Sequence, residues 1–255
     1  MTFSQLRSIA FSTAFAATAA ITTLITVAEA GDRTVGIVEL FTSQGCSSCP
    51  PADVFAGDLA EQGDVLVLSM PVDYWDFLGW KDTLACPAYS ERQRAYARSR
   101  SDRNVYTPQM VVNGRVHAIG SYRDQVNKLI ETTGADFERE RVEVDLALDG
   151  NRLRIKIGDG SDTTAVNDAT IWLALYNKKE TVSIGRGENH GRKITYTNVV
   201  RELTPIGMWS GAAKEITLPR EDLMHIGYDG CAVIVQAKDT GPIYGVASLD
   251  TWRGN

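Results

Sequence analysis

Apolar runs separated by a helical segment open the first half of the chain, and this alternation most constrains its fold. Residues 35–41 (VGIVELF) have the branched apolar composition of a strand. Residues 65–70 (VLVLSM) form the short continuous apolar run that is typical of a buried parallel strand. Between them, residues 52–61 have helical composition and end before Gly63, which favours a helix stop. The pattern therefore predicts a strand–helix–strand unit.

The rest of the first half adds two helices and a hairpin. Residues 88–100 have the composition of an arginine-rich helix, and residues 122–133 place apolar side chains on one helical face. The pair Asn113-Gly114 lies between two apolar runs, which is a strong hairpin signal. The predicted order is β-α-β-α-β-β-α, which indicates a parallel-dominated sheet with helices on both faces.

The second half has a different pattern. Residues 143–148 and 153–157 alternate polar and apolar side chains around a turn, and further short strand-like segments follow without a long helical pattern. Such segments predict an antiparallel β-sandwich. We therefore predict an α/β domain over residues 31–137, followed by an all-β antiparallel sandwich domain over residues 138–255.

The first thirty residues have the pattern of a secretory signal. Arg7 precedes an apolar, alanine-rich stretch from Ile9 to Val27, which ends in the A-x-A pattern of residues 28–30. We expect a signal peptide over residues 1–30 that is cleaved after Ala30, which makes the mature protein periplasmic or secreted. The stretch approaches spanning length, so a membrane anchor is the alternative. After cleavage we expect no stable membrane insertion.

The composition argues against a nucleic-acid partner, since the formal net charge is -6 and such proteins usually carry a basic patch. The chain has four cysteines, which are too few to build a disulfide mini-fold, and it is long enough to bury a core of its own. Cys86 and Cys231 lie in different predicted domains. They either form a disulfide between those domains or remain free thiols.

Cys46 and Cys49 form a C-x-x-C motif after a predicted strand and before a predicted helix. The N–H groups and the dipole of a helix start favour a thiolate. We expect Cys46 to be the exposed nucleophile and Cys49, one turn further in, to be the resolving thiol of a disulfide exchange. An inert local disulfide and a metal site are the alternatives. A metal needs further ligands, and His117, His190 and His225 are the available imidazoles.

The C-x-x-C motif, together with the sequence Tyr106-Thr107-Pro108-Gln109, resembles the thioredoxin superfamily over about residues 35–133. The resemblance implies that Pro108 follows a cis peptide bond, faces the dithiol and positions the partner's backbone, with Thr107 beside it at the substrate. It also implies that Glu39, on the strand before the motif, is a buried acid that exchanges a proton with Cys49. A salt-bridged glutamate is the alternative for Glu39.

Seven further motifs are FTSQGCSSCPPAD, DYWD, GWKD, RQRAY, TPQMVVNG, GENHGR and NVVREL. They are similar to motifs of a family of bacterial secreted thioredoxin-like proteins, domain of unknown function family 1223. This resemblance implies the fold and export. The chain departs from most thioredoxins at Gly45, where they have tryptophan, and at the pair Ser47-Ser48. Because of Pro50-Pro51, either the helix starts later, with Ser48 as its cap and Cys46 in the loop, or its first turn is distorted.

Three segments around the motif have competing interpretations. Tyr74 and Trp75, after the second strand, are either core residues or substrate contacts at the strand ends. Arg92 and the arginines that follow it most simply form a solvated helix face. The segment GENHGRK, at residues 187–193, is either an ordinary sandwich loop or a loop that docks onto the dithiol domain.

Together these features predict an exported thiol–disulfide oxidoreductase that needs no cofactor or metal beyond its dithiol. Its substrate would be a protein or a small thiol or disulfide, and a cycling enzyme would also need a separate redox partner. The competing classes are a non-catalytic thioredoxin-fold binding or assembly module with a structural disulfide, and a metal-handling protein. Oxidants and reductants share this motif, so it does not indicate the direction of electron flow.

Overall fold

The computed structural model describes Met1 and residues 34–161, 168–223, 227–238 and 240–250. Apart from Met1, the predicted signal peptide at residues 1–30 lies outside the described residues, as does His225. Within these ranges no helix is both long and apolar enough to cross a bilayer.

The first half folds in the predicted order of elements. Its strands and helices are β1 (Ile37–Thr42), α1 (Pro50–Gln62), β2 (Leu66–Pro71), a 3-10 turn (Asp76–Leu78), α2 (Pro87–Arg100), β3 (Gln109–Val112), β4 (Val116–Ile119) and α3 (Arg123–Arg139). The predicted turn joins β3 and β4: Asn113 and Gly114 have φ values of 51° and 66°, as a two-residue hairpin turn requires.

The second half is rich in strands, as predicted. It contains β5 (Val144–Asp149), β6 (Arg152–Ile157), β7 (Ala169–Ser183), β8 (Lys193–Trp209), β9 (Lys214–Pro219), the single-turn helix α4 (Arg220–Leu223), β10 (Gly230–Ala237) and β11 (Ile243–Leu249). Strands β7 and β8 are long and pair with each other over most of their length.

The strands form a mixed α/β structure with two sheets. The larger sheet has eight strands in the order β11-β10-β7-β8-β2-β1-β3-β4, and β5-β6-β9 form the smaller one. Strand β1 is parallel to β2 and antiparallel to β3. The two halves meet where β2 runs parallel to β8, at the pair Ser69 and Val199. The eight-stranded sheet therefore continues across the predicted boundary at residue 137, and a division into two domains remains a prediction.

In the described part of the chain, three large apolar clusters and a smaller one around Tyr196 fill the space between the layers. One lies between the first-half sheet and helices α1 and α3, and includes Leu40 and Phe55. A second covers the opposite face and joins both halves, since Phe41 and Tyr96 share it with Ala232. The third lies between the two sheets of the second half, which gives that half the two-layer packing of a sandwich.

Candidate functional site

The cysteine motif forms a disulfide at the start of α1. Cys46 is bonded to Cys49, and their Cα atoms are 5.4 Å apart. Helix α1 begins at Pro50 with Cys49 as its N-cap, so both prolines occupy the first helical positions, where no N–H donor is needed. The later helix start is therefore correct, although the cap is Cys49 and not Ser48. Cys46 lies in the preceding turn.

Both cysteines are fully buried, so the expectation that solvent reaches Cys46 is wrong for this structure. Each has an exposed fraction of 0%. The residues between them, Ser47 and Ser48, are exposed. The Cys46 Sγ atom lies 3.4 Å from the Ser48 hydroxyl. The disulfide is therefore located beneath a thin, polar part of the surface.

A loop from the second half covers the disulfide. We call residues 184–192, which connect β7 to β8, the hairpin tip. The buried Asn189 side chain donates to the backbone carbonyls of Gln44, at 3.0 Å, and of Cys46, at 2.8 Å. The Glu188 carboxylate accepts a hydrogen bond from the Ser47 N–H at 3.2 Å. We call residues 43–49, which connect β1 to α1, the cysteine loop. The tip thus docks onto this loop, as the alternative interpretation of GENHGRK proposed.

Trp80 contacts both the cysteine loop and the hairpin tip. Its indole N–H donates to the Gln44 side-chain oxygen at 2.8 Å. Gly185 lies so close to the Trp80 ring that an added Cβ would be 2.9 Å from a ring carbon. A side chain at Gly185 would therefore push the tip away from the ring.

The peptide bond between Thr107 and Pro108 is cis, as the resemblance implied. Strand β3 begins one residue later, where Gln109 is opposite Phe41 of β1. Pro108 thus enters the sheet beside the end of β1 that leads to Cys46. Trp75 connects the two segments: its indole N–H donates to the Thr107 hydroxyl at 2.8 Å, and an added Cβ on Gly45 would lie 3.1 Å from the Trp75 Cβ.

Tyr74 points toward α2 and away from the cysteine loop. It is half-buried against the cluster that joins the two halves, and its hydroxyl donates to the Gln93 side-chain oxygen at 3.1 Å. Burial raises the pKa of Tyr74 to about 12. Of the two predicted aromatic contacts, Trp75 lies beside the cysteine loop and Tyr74 is part of the packing.

Glu39 is buried on the face of β1 that points away from α1. Side chains alternate along a strand, so Glu39 shares its face with Phe41, which packs against α2. Its carboxylate accepts a hydrogen bond from Arg92 Nε at 2.7 Å and another from the Tyr96 hydroxyl. The salt-bridge alternative is thus correct for Glu39, and its placement corrects the expectation that it serves Cys49.

The same contacts correct the interpretation of Arg92. Its side chain is buried, and the Nη2 group also donates to the Gln236 side-chain oxygen of β10 at 2.9 Å. A buried guanidinium needs such partners because an unpaired charge is costly in the interior. Arg92 therefore links the two halves and is not part of a solvated face.

Asp53 is a buried acid on the cysteine helix that our sequence interpretation missed. It lies one turn after Cys49, and its N–H donates to the Cys49 carbonyl at 3.1 Å. The Thr42 hydroxyl donates to Asp53 Oδ1 at 2.7 Å, whereas Oδ2 has no partner among the described residues. Burial raises the pKa of Asp53 to about 8, against the lowering effect of the Thr42 bond and with a smaller contribution from Asp82. The sequence signal that could have revealed Asp53 is an acid four residues after Cys49, on the same buried helix face as Ala52 and Phe55.

A second buried acid holds the cysteine loop in place. Asp82 accepts hydrogen bonds from the N–H groups of Gln44, at 2.7 Å, Leu84, at 2.8 Å, and Ala85, at 3.1 Å. Burial raises its pKa against these bonds. The Tyr196 hydroxyl, which has no described partner, also has a raised pKa because of burial and of both acids. Buried groups, among them the two acids Asp53 and Asp82, therefore line this side of the cysteine loop.

The other cysteines are free thiols, so the alternative disulfide between the predicted domains does not form in this structure. Cys86 is half-buried and Cys231 is buried, and burial raises the pKa of Cys231 to about 12. In the described part of the chain no three His, Cys, Asp or Glu residues are grouped as a metal site would require.

Comparisons with known proteins identify a family and a fold. A crystal structure of a protein from Agrobacterium tumefaciens is 32% identical, covers 89% of this chain and 98% of its own, and has a TM-score of 0.77. HBP35 of Porphyromonas gingivalis is 14% identical, with 88% of this chain and 78% of its own covered and a TM-score of 0.59, which shows similarity of fold alone. No curated protein matches the chain. A family model matches residues 37–236, so the chain belongs to the family described as protein of unknown function (DUF1223).

Proposed function

We propose that this protein is an exported thiol–disulfide oxidoreductase that acts through Cys46 and Cys49. The observation that carries the proposal is the Cys46–Cys49 disulfide at the start of α1, beside the cis peptide bond of Thr107 and Pro108. The sheet order β2-β1-β3-β4, with α1 and α2 packed on opposite faces, supports a thioredoxin-like first half. Disulfides persist in oxidising compartments, so the bond also supports export to the periplasm or the medium.

The chemistry is a two-step exchange that both directions of electron flow share. When the protein reduces a substrate, the Cys46 thiolate attacks one substrate sulfur and releases the other as a thiolate. The Cys49 thiolate then attacks the Cys46 sulfur, which closes the disulfide and releases the second substrate thiol. The two protein thiols give up two protons and two electrons, and the substrate disulfide gains them. A separate dithiol or disulfide partner must restore the starting state.

Asp53 takes the proton-handling role that the resemblance assigned to Glu39. It lies on the helix of Cys49, one turn away, and its pKa of about 8 keeps the carboxyl protonated at neutral pH. A group with a pKa near the working pH both accepts and donates protons efficiently. Glu39 is instead held by Arg92 and Tyr96 on the opposite face of β1.

The full burial of both sulfurs favours a second candidate, a non-catalytic binding module in which the disulfide is structural. The two candidates differ in what happens at the hairpin tip. Catalysis requires the tip to move so that a substrate sulfur reaches Cys46, whereas a structural disulfide stays covered.

Reduction of insulin disulfides by the full mature chain, with dithiothreitol as electron source, tests the proposal. We expect wild type to accelerate insulin precipitation, Cys46→Ser to abolish the acceleration, and Cys86→Ser, which removes a free thiol, to retain it. Equal rates for wild type and Cys46→Ser would contradict the catalytic function and favour the structural disulfide.

A further inference from the structure

An exposed apolar pair lies beside the covered disulfide. Phe77 has an exposed fraction of 81% and Leu78 one of 37%, although both are large apolar residues. They belong to the 3-10 turn, which is held in shape because the Asp76 carboxylate accepts a hydrogen bond from the Asp82 N–H at 3.0 Å. The turn thus presents Phe77 to solvent on a fixed backbone.

The hairpin tip continues this surface. An added Cβ on Gly187 would lie 3.4 Å from the Trp80 Cβ and 4.0 Å from the Leu78 carbonyl oxygen, so the tip and the turn are in contact. We call residues 77–81, the hairpin tip and Lys193 together the aromatic–basic surface. Asn189 and Glu188 of this surface bind the backbone around Cys46. Any segment that docks on it therefore lies over the disulfide.

The exposed charges of this surface are mostly positive. Lys81, Arg186, Arg192 and Lys193 are exposed, and none of them forms an ion pair with a carboxylate in the part of the chain that the structure describes. The acids nearby, Asp76, Asp82 and Glu188, all accept backbone N–H groups. In a chain whose formal net charge is -6, this concentration of cations favours an acidic partner.

The tip also indicates which groups the cysteine loop accepts. The Glu188 carboxylate accepts a hydrogen bond from the Ser47 N–H, and the Asn189 amide donates one to the Cys46 carbonyl. A carboxylate from an incoming segment has the same chemistry as Glu188 and can replace it at Ser47. The exposed ring of Phe77 provides an apolar anchor for the same segment.

We infer that the aromatic–basic surface docks polypeptide substrates whose cysteine is flanked by acidic and apolar residues, an inference that rests on the proposed oxidoreductase function. The substrate segment lies along Phe77 and the tip cations and displaces the tip from Cys46. Its cysteine sulfur then meets the Cys46 sulfur in the exchange described above. This assigns the substrate class that the motif alone does not indicate.

The test uses the reduced full mature chain and two short peptides, each with one cysteine in a mixed disulfide with thionitrobenzoate. One peptide has Asp and Leu beside the cysteine, and the other has Lys in place of Asp. Cys46 attacks the peptide sulfur and releases thionitrobenzoate, and Cys49 then releases the peptide thiol, so two protein thiols are oxidised for each probe disulfide reduced. We expect the acidic peptide to react about tenfold faster at low salt, with most of the advantage lost near 0.5 M salt.

Two sets of variants locate the effect. Phe77→Ser and the double variant Arg186→Ser/Arg192→Ser should slow the acidic peptide about fivefold. Both should leave unchanged the rate with dithiodipyridine, which is uncharged and has no polypeptide flanks. The matched control is Arg152→Ser/Lys156→Ser, which removes two exposed cations from the three-stranded sheet and should change neither rate.

The outcomes separate this inference from the function on which it rests. Reaction with dithiodipyridine but equal rates for the two peptides overturns the docking surface and leaves the oxidoreductase function standing. If no probe reacts, the function fails, and fluorescence anisotropy of the labelled peptides decides: tighter binding of the acidic peptide supports the surface, and equal binding overturns it. A wild-type dimer that Phe77→Ser converts to a monomer would make the surface a contact between copies, which also overturns the inference.

Discussion

At the scale of single residues, Asp53 and Glu39 show that two buried acids on neighbouring elements have different roles. Glu39 has a guanidinium and a hydroxyl as partners. Asp53 has one hydroxyl partner, its Oδ2 atom has none among the described residues, and its environment favours the neutral acid. The first is therefore suited to holding elements together and the second to exchanging a proton.

Asp53 should make the stability of the oxidised protein depend on pH. Burial raises its pKa from 3.8 to about 8, so its contribution is fully present below about pH 4 and is lost as pH rises through 8. The shift corresponds to a loss of about 6 kcal/mol at most. We expect Asp53→Asn to lose less free energy of unfolding than wild type between these pH values, in urea titrations.

Asp58 is the matched control, since it lies on the same helix, is 44% exposed and pairs with Arg123. Asp58→Asn should have the pH profile of wild type. Parallel profiles for wild type and Asp53→Asn would show that the Asp53 carboxyl is charged at neutral pH, and would remove it from the proposed mechanism.

Breaking the Glu39–Arg92 pair should destabilise the protein strongly. Arg92→Met leaves a buried carboxylate without its cation, and such losses cost about 3–5 kcal/mol. Chemical denaturation should show this loss, and the double variant Glu39→Gln/Arg92→Met should cost less than the sum of the two single changes. Arg94→Met removes an exposed pair with Glu91 on the same helix and should cost below about 1 kcal/mol. Equal losses for Arg92→Met and Arg94→Met would contradict the account.

At the scale of elements, we expect the hairpin tip to control access to the disulfide, because it binds the backbone on both sides of Cys46. The tip does not lie loosely on the surface, because Ile184 at its start and Ile194 just after its end pack with Tyr196 and Trp80. Asn189 provides the two hydrogen bonds that close it over the cysteine loop. Its Oδ1 atom has no described partner, which weakens its hold on the buried position.

Removing the Asn189 amide should therefore uncover the disulfide. We expect Asn189→Ala to accelerate reduction of Cys46–Cys49 by a phosphine about tenfold, because the loss of two hydrogen bonds corresponds to roughly 1–2 kcal/mol. Alkylation and mass spectrometry follow the reduction. His190→Ala, at the exposed neighbouring position, should leave the rate unchanged. A rate for Asn189→Ala equal to that of wild type would show that the tip does not control access.

The elements themselves were largely predictable, and their contacts across the chain were not. The order from β1 to α3 follows from local patterns: continuous apolar runs, helical composition and the Asn113-Gly114 turn. The motif and the resemblance located Cys46, Cys49 and Pro108. The hydrogen bond from Asn189 to the Cys46 carbonyl joins residues that are 143 positions apart, and no local pattern contains that contact. Glu39 was misassigned for the same reason, since its partner Arg92 lies on α2.

At the scale of the whole molecule, one sheet and one shared core join the two halves. Strand β2 pairs with β8, and the cluster around Phe41 and Tyr96 is completed by Tyr176, Val200 and Ala232 of the second half. The Arg92 bond to Gln236 crosses the same contact. The second half therefore supplies both a cover for the disulfide and part of the packing of the first half.

A fragment of residues 31–137 should consequently fail to fold on its own. Without the second half, the face of β1 and β2 that carries Phe41 and Leu68 is open to water, and Arg92 loses a partner. We expect the fragment to bind a hydrophobic dye and to unfold without a cooperative transition, and we expect residues 31–255 to unfold cooperatively. Cooperative unfolding of the fragment would instead support two independent domains.

A redox titration of residues 31–255 in glutathione buffers, with mass-spectrometric mapping of every cysteine, tests the central claim most directly. The proposed oxidoreductase function predicts that Cys46 and Cys49 interconvert between dithiol and disulfide in the folded protein, with a reduction potential between about -270 and -120 mV. Cys86 and Cys231 should remain thiols throughout. A pair that stays oxidised below about -300 mV and is reduced only on unfolding would be a structural disulfide, and would contradict the account.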